Sequence, residues 1–576
     1  HTAPDNKDEL DIEKHYEQLF HMLMESQLDF DYGEESMMRE MYSVEHDTSG
    51  NVVLRIGKAS YRTVLVSGLI TMRDSTVQIL KEFLDLGGNV IFAGDLPEYV
   101  DGKASDALLL LAKHPNTVTV PFEKYALADE IRKTAAFYPQ IEGKGADHVY
   151  AQVRYDAENK LLYTALINTD RENSLKGLRL SLHDLENLFI SPAKDVFAQQ
   201  WDLATGKRYR KELSFENGIP FVTFDLEAAG EKIFVFTQEQ DCSLLTPERL
   251  EEEKETQFSQ ESEFAYELDE KNVCVLDFAK WKFGNGEWQP EEEILRVDIK
   301  IRDMVGIEHR GGNMLQPWYA KKYCNDAYGN LEIEYEFYAD ILPKGDLFLA
   351  GERPEFCQFY LNGTRLECVD PDDFWIDVCF KKMVIPAGLI RKGRNVVTYK
   401  TLFRRTTNIE ALYLVGDFGV RLEGNKRILD RRPERIGFKN LKEYNMPFYT
   451  GQITYHIPND VFAASKNADK IYLKIDGYRG SLLKIFAVGE CEDHAQVLAW
   501  DPYEADVTDW VKADFDIGVT LVCSRRNVFG PLHLVPAEFG VYGPEHFVTS
   551  GNHWSDDYAL INSSVYGMTI KELKKK

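Results

Sequence analysis

Near the end of the chain, "RRNVFGPLH", "GPEHF" and "GNHWSDDY" bring Arg526, Asn527, His533, His546, His553 and Trp554 into one stretch. Two shorter clusters share its character: Trp318 and Tyr319 in "NMLQPWYAKKY", and Asp373 with Trp375 in "PDDFWID". Each joins an aromatic platform to groups that donate or accept hydrogen bonds. That combination suits a ring with apolar C–H faces and a rim of hydroxyls, so the chemistry these residues offer is recognition of a sugar. The substrate-binding residues expected from sequence are Asn527, His533, His553, Trp554, Trp318 and Trp375. Plainer roles exist for two of them: Trp375 alternates with Phe374 beside a strand, as a core residue would, and His533 matches Tyr413 in an internal repeat.

Other chemistries find less support. The histidines lack HxxxH or HxH spacing, and the eight cysteines (242, 274, 324, 357, 368, 379, 491 and 523) form no CxxC, so no metal and no cofactor are expected. Cys357 and Cys379 border strand-like runs and read as small buried hydrophobes. A glycosidase needs two carboxyls flanking its bond, but linear spacing singles out no such pair, and "QPEEEIL" and "RLEEEKE" read as solvated faces. Catalytic residues therefore stay unknown. Ser67 and Gly68 end the run "LVSGLITMRD" without a GxSxG elbow, and no GxGxxG follows it or "IFAGDLPEYVDG". Asp95 and Glu98 read as caps or loop charges.

A formal charge of −28 repels phosphate backbones, so nucleic acid is not an expected partner. No apolar run approaches the roughly 20 residues of a membrane span. The scattered cysteines point to a reducing, cytoplasmic setting, with a periplasmic one open if a signal peptide precedes His1. At 576 residues the chain exceeds what one hydrophobic core can organise.

The elements that must position these residues change character along the chain. Tyr16, Leu19, Phe20 and Leu23 form the apolar stripe of a first helix, followed by "DFDYG" (29–33) as a strand and "NVVLRIG" as a hairpin signal. "RTVLVSG" (62–68), "NVIFAG" (89–94) and "TVTVP" read as buried strands, separated by helices through "DSTVQILKEFLDLGG", "DALLLLAKH" and "EKYALADEIRKT". Thr71 and Asp74 have capping-box spacing, and Gly87 sits where a helix C-terminus favours a left-handed residue. Residues 1–137 thus read as a flavodoxin-like, doubly wound α/β domain lacking its first strand. The period then shifts to two, giving a β-sandwich over 138–240, and the acidic stretch 241–262 reads as a linker or exposed helix. Residues 263–422 and 423–576 repeat one another. "YLVGDFGV" matches "HLVPAEFGV", aligning Tyr413 with His533 and Phe418 with Phe539, and "FYLNG" matches "IFAVG". Two jelly-roll β-sandwiches are expected.

These segments carry a resemblance. "MESQLDFDYGEESMM", "YRTVLVSGLITMRDSTVQILKEFLDLGGNVIFAGDLPEYVDG" and "LYTALINTDRENS" resemble the part of large bacterial glycoside hydrolases, around the family 106 α-L-rhamnosidases, that follows the catalytic (β/α)8 barrel. "YLKIDGYRGSLLKIFAVGE", "PYEADVTDW" and "RRNVFGPLH" are similar to the galactose-binding-like sandwiches of these and of family 2 enzymes. The usual "VNG" turn reads "AVGE" (487–490) here, which removes its Asn. The resemblance implies the C-terminal accessory half of a glycoside hydrolase. Its substrate would be a glycan or glycoside, with α-L-rhamnosides implied by the family, and its partner a catalytic barrel on the same precursor or a separate chain. The alternative is a free-standing, non-catalytic carbohydrate-binding protein.

Overall fold

A computed structural model describes residues 7–47, 50–135, 137–189, 195–203, 205–247, 250–311, 316–323, 326–490, 494–537, 543 and 546–576. The chain is mostly β and divides into two compact units, 1–248 and 249–576. No helix among the described residues is long and apolar enough to cross a membrane.

The first unit opens with the α/β series. Strands Thr63–Ser67, Asn89–Ala93 and Thr117–Val120 form a parallel sheet in that order. Its central strand alternates between two cores. Val90 and Phe92 pack with Ile79, Leu80 and Phe83 of helix Asp74–Asp85, whereas Ile91 and Ala93 pack with Leu23 of helix Lys7–Glu25 and Leu127 of helix Lys124–Arg132. Burial on both faces is why "VIFA" is apolar without alternation. Three local expectations are corrected. Tyr16 is exposed rather than in the stripe. "DFDYG" belongs to no strand. Thr71 does not cap a helix: Arg73 occupies the N-cap and donates its N–H to Glu35, while the Thr71 hydroxyl accepts from Gly102 in a small three-stranded sheet. At the other end of that helix Gly87 has φ +106°, and the Gly88 N–H reaches back to the Phe83 carbonyl, closing the helix. Residues 138–237 follow as two antiparallel sheets of four and five strands around one core that includes Leu162, Leu180, Phe224 and Phe234.

The second unit contains two sheet pairs, each with its own core. The acidic stretch expected as a linker carries strand Leu250–Gln257, paired antiparallel with the last strand Met568–Lys575. Its glutamates face a basic partner, with Lys571 3.5 Å from Glu252 and Lys254 3.2 Å from Glu572. Cross-strand charge pairing, not apolar alternation, sets this edge. The repeat partners separate in context: Tyr413 lies in strand Leu412–Asp417, whereas His533 lies in a loop, and Phe539 falls outside the described residues. Val528, Leu532 and Tyr558 join the core of Val273, Leu349 and Leu414, so the C-terminal loops pack on the sandwich formed by the earlier residues.

Candidate functional site

One end of that sandwich holds a cavity of about 400 Å³, within the range of small-molecule sites. Strand ends bring carboxylates to it. Glu352 closes strand Lys344–Glu352, Asp377 opens Asp377–Val384, Glu410 precedes Leu412–Asp417, and Asp277 separates Asn272–Leu276 from Phe278–Phe283. Glu293 ends strand Gln289–Glu293 and caps helix Ile294–Val305, accepting the Leu295 and Arg296 N–H groups at 3.1 Å each. The C-terminal loops contribute Phe529, His533, Phe547 and Trp554, opposite Phe380 and Tyr413. On the rim, Ile376 sits at φ +63°. A β-branched residue is strained there, and it is held beside the cavity by the tight connection from Trp375 to Asp377.

His533 has a partner at each ring nitrogen. Its Nδ1 lies 2.9 Å from the Ser555 carbonyl and its Nε2 lies 3.0 Å from Asp277 Oδ2. Both partners accept, so both nitrogens donate and the ring is an imidazolium. Burial opposes that charge, but the bond to Asp277 and its negative charge prevail and raise the histidine. Burial likewise opposes ionisation of Asp277. The hydrogen bond and charge of His533, then Arg427 and the Tyr558 hydroxyl at 2.6 Å, outweigh it and hold the carboxyl below its ordinary value. Glu293 differs: burial drives it up to about 8, with Asp277 adding to the rise, while the two backbone N–H groups oppose it. Two buried carboxyls of one site are thus pushed in opposite directions, one ionised and one holding its proton at neutral pH.

The six residues expected from sequence are distributed as follows. His533 and Trp554 line the cavity, their rings 5.3 Å apart, and the Arg296 guanidinium lies over the Trp554 ring at 3.6 Å. Trp375 is 8% exposed and packs behind the wall, 5.1 Å from Tyr413 and 5.9 Å from Phe529. Asn527 exchanges both amide hydrogen bonds with the Ile561 backbone, and His553 Nδ1 lies 3.2 Å from the Val535 carbonyl. Trp318, 59% exposed on helix Pro317–Tyr323, does not line the cavity. Sequence reasoning missed Asp277, Glu293, Glu352 and Glu410. Glu293 belongs to the "QPEEEIL" run taken for a solvated face, yet it is 5% exposed. The signal was its position directly before the helix-period run "ILRVDIKIRDMVG". Asp277 was marked by being the one charge inside "VCVLDFA".

In the first unit, chemistry-bearing side chains meet at the carboxyl end of the parallel sheet. His15 Nε2 lies 2.8 Å from Ser67 Oγ, whose one proton is donated to the Ala93 carbonyl at 2.8 Å. Gly68, at φ +66°, is required because a Cβ there would lie 2.3 Å from the His15 ring. His15 stacks on Phe122, and burial lowers its pKa against the opposing charge of Asp95.

No family model matches this chain, and no curated protein matches it. Similar solved structures are glycoside hydrolases at low identity. A rhamnosidase from Novosphingobium sp. PP1Y aligns with 66% of this chain and 32% of its own, at 15% identity and TM-score 0.28. An apo exo-carrageenase GH42 from Bacteroides ovatus aligns over 39% and 27%, at 14% identity and TM-score 0.26. An α-L-fucosidase isoenzyme 2 from Paenibacillus thiaminolyticus aligns over 39% and 45%, at 12% identity and TM-score 0.24. The chain spans 27 to 45% of the length of these structures.

Proposed function

We propose that this chain is the glycan-binding accessory part of a glycoside hydrolase, with the cavity of residues 250–576 receiving one sugar ring. The observation that carries this reading is the cavity's construction: Trp554, Phe529 and Phe547 offer apolar faces, and Glu352, Asp377 and Glu410 offer acceptors for hydroxyls. In the same reading the parallel sheet belongs to a flavodoxin-like domain, the two sandwiches are jelly-roll, galactose-binding-like modules, and the protein acts in the cytoplasm. The glycosidic bond is hydrolysed by a catalytic barrel on the same precursor or another chain, and family 106 resemblance points to α-L-rhamnosides. One observation favours a free-standing carbohydrate-binding protein instead: every residue lining the cavity belongs to a single unit of this chain.

The test is titration calorimetry against a panel of oligosaccharides, following a glycan-array screen. The intact chain binds a glycan, and Trp554→Ala weakens that binding by about tenfold or more. No glycan binding by the intact, folded chain overturns the reading. Co-purification with a barrel-sized partner separates the accessory role from the free-standing one.

A further inference from the structure

The cavity of residues 250–576 is rich in hydrogen-bond acceptors and poor in donors. Its two cationic side chains are already engaged. Arg310 pairs with Glu410 and the Ile409 carbonyl, and His533 pairs with Asp277 and the Ser555 carbonyl. The Trp554 N–H is directed to Asp556 at 2.8 Å. Two cavity carboxylates, those of Glu352 and Asp377, form no ion pair among the described residues: Glu352 accepts from the Asn408 amide and feels the Arg310 charge only at longer range, and Asp377 accepts from the Cys379 N–H and thiol. Glu293, 5% exposed, also lines the cavity but holds its proton at neutral pH and adds no charge there.

The groups around Glu352 register its charge. Glu410, Tyr413 and Cys379 all hold their protons more tightly than usual, through burial first and with Glu352 adding to each. The cavity thus combines a negative potential with five aromatic rings, Phe380, Tyr413, Phe529, Phe547 and Trp554. A neutral hydroxyl ring would leave this surplus of acceptors partly unmatched. An ammonium group brings three donors and no acceptor, and it is attracted both to carboxylates and to aromatic faces.

We propose that the sugar ring taken by this cavity carries a free, protonated amine, as in a 2-amino-2-deoxyhexose, with Glu352 and Asp377 receiving the ammonium group. This rests on the reading of the cavity as a sugar site. The test is calorimetric titration of the full chain at mildly acidic pH with glucosamine and galactosamine, their N-acetylated forms, glucose, galactose and benzylamine. The expected result is an amino-sugar affinity at least about tenfold above that of the N-acetylated and neutral sugars. That advantage disappears in Glu352→Gln, whose amide oxygen can still accept from Asn408, and shrinks in the exposed Asp377→Asn. Neutral sugars binding as well as amino sugars overturns this inference and leaves the sugar reading standing. Benzylamine binding without any sugar binding overturns the sugar reading, and binding of none of the probes overturns both.

Discussion

Two histidines, one in each unit, meet opposite fates. His15 packs against Phe122 and meets a hydroxyl, and burial favours the neutral ring over the opposing charge of Asp95. His533 is more deeply buried, yet it is held as a cation because a carboxylate and a carbonyl accept from both nitrogens. Partner chemistry, not depth of burial, decides the charge. The consequence reaches the surrounding structure. His15 and Ser67 tie helix Lys7–Glu25 to the edge of a sheet whose core is complete without them. His533, Asp277, Tyr558 and Arg427 form a buried charged network that fixes the wall of a cavity.

The comparison is broken most directly by removing the acceptor. Asp277→Ala removes the carboxylate that His533 and Arg427 share, leaving buried Arg427 with Glu291 at 3.8 Å and His533 driven towards its neutral form, and it is expected to cost about 3–5 kcal/mol in the unfolding free energy of the second unit, measured by denaturant titration. The pH dependence sharpens it. Because His533 is raised in the folded chain, its stabilisation is complete below about 6.5 and is lost as pH rises through its folded value. Glu293, raised from 4.5 to about 8, acts in the same direction: ionising it in the fold is costly, so stability falls as pH rises across that window. The lowered Asp277 adds stability present above 3.8 and lost only as pH falls through its folded value. Residue-resolved hydrogen exchange should therefore show the second unit losing stability as pH rises from about 4.5 to about 8, with Glu293→Gln flattening the decline. The lowered His15 gives the first unit the opposite sign, a stability present above about 6.5 and lost as pH falls. The smallest effect is His15→Ala, which removes one part-buried hydrogen bond and is expected to cost about 1 kcal/mol in the first unit by the same denaturant assay.

Much of the β architecture was legible because it is written in local periods. "VYAQVRYD" and "LLYTALIN" alternate and pair as strands, and the βα series of the first unit has the apolar runs that a two-faced parallel sheet demands. Charge pairing hid the strand at 250–257, where no apolar alternation exists to read. The candidate site was half legible. His533 and Trp554 stand close in sequence and share the cavity, but Glu352, Glu410 and Asp277 meet there only because strand ends separated by up to 133 residues converge. No linear spacing encodes that convergence. Tyr413 shows a further limit: its repeat match to His533 suggested equivalent places in two modules, whereas both side chains line one cavity.

The central claim is that this cavity is where a glycan binds. Hydrogen exchange on the full chain, with and without a glycan selected on the array, tests it most directly. Binding in the cavity predicts slowed exchange confined to the start of helix Ile294–Val305, the connection around Ile376–Phe380 and the loop at Val528–His533. Protection elsewhere in the chain, with these three segments unchanged, would contradict it.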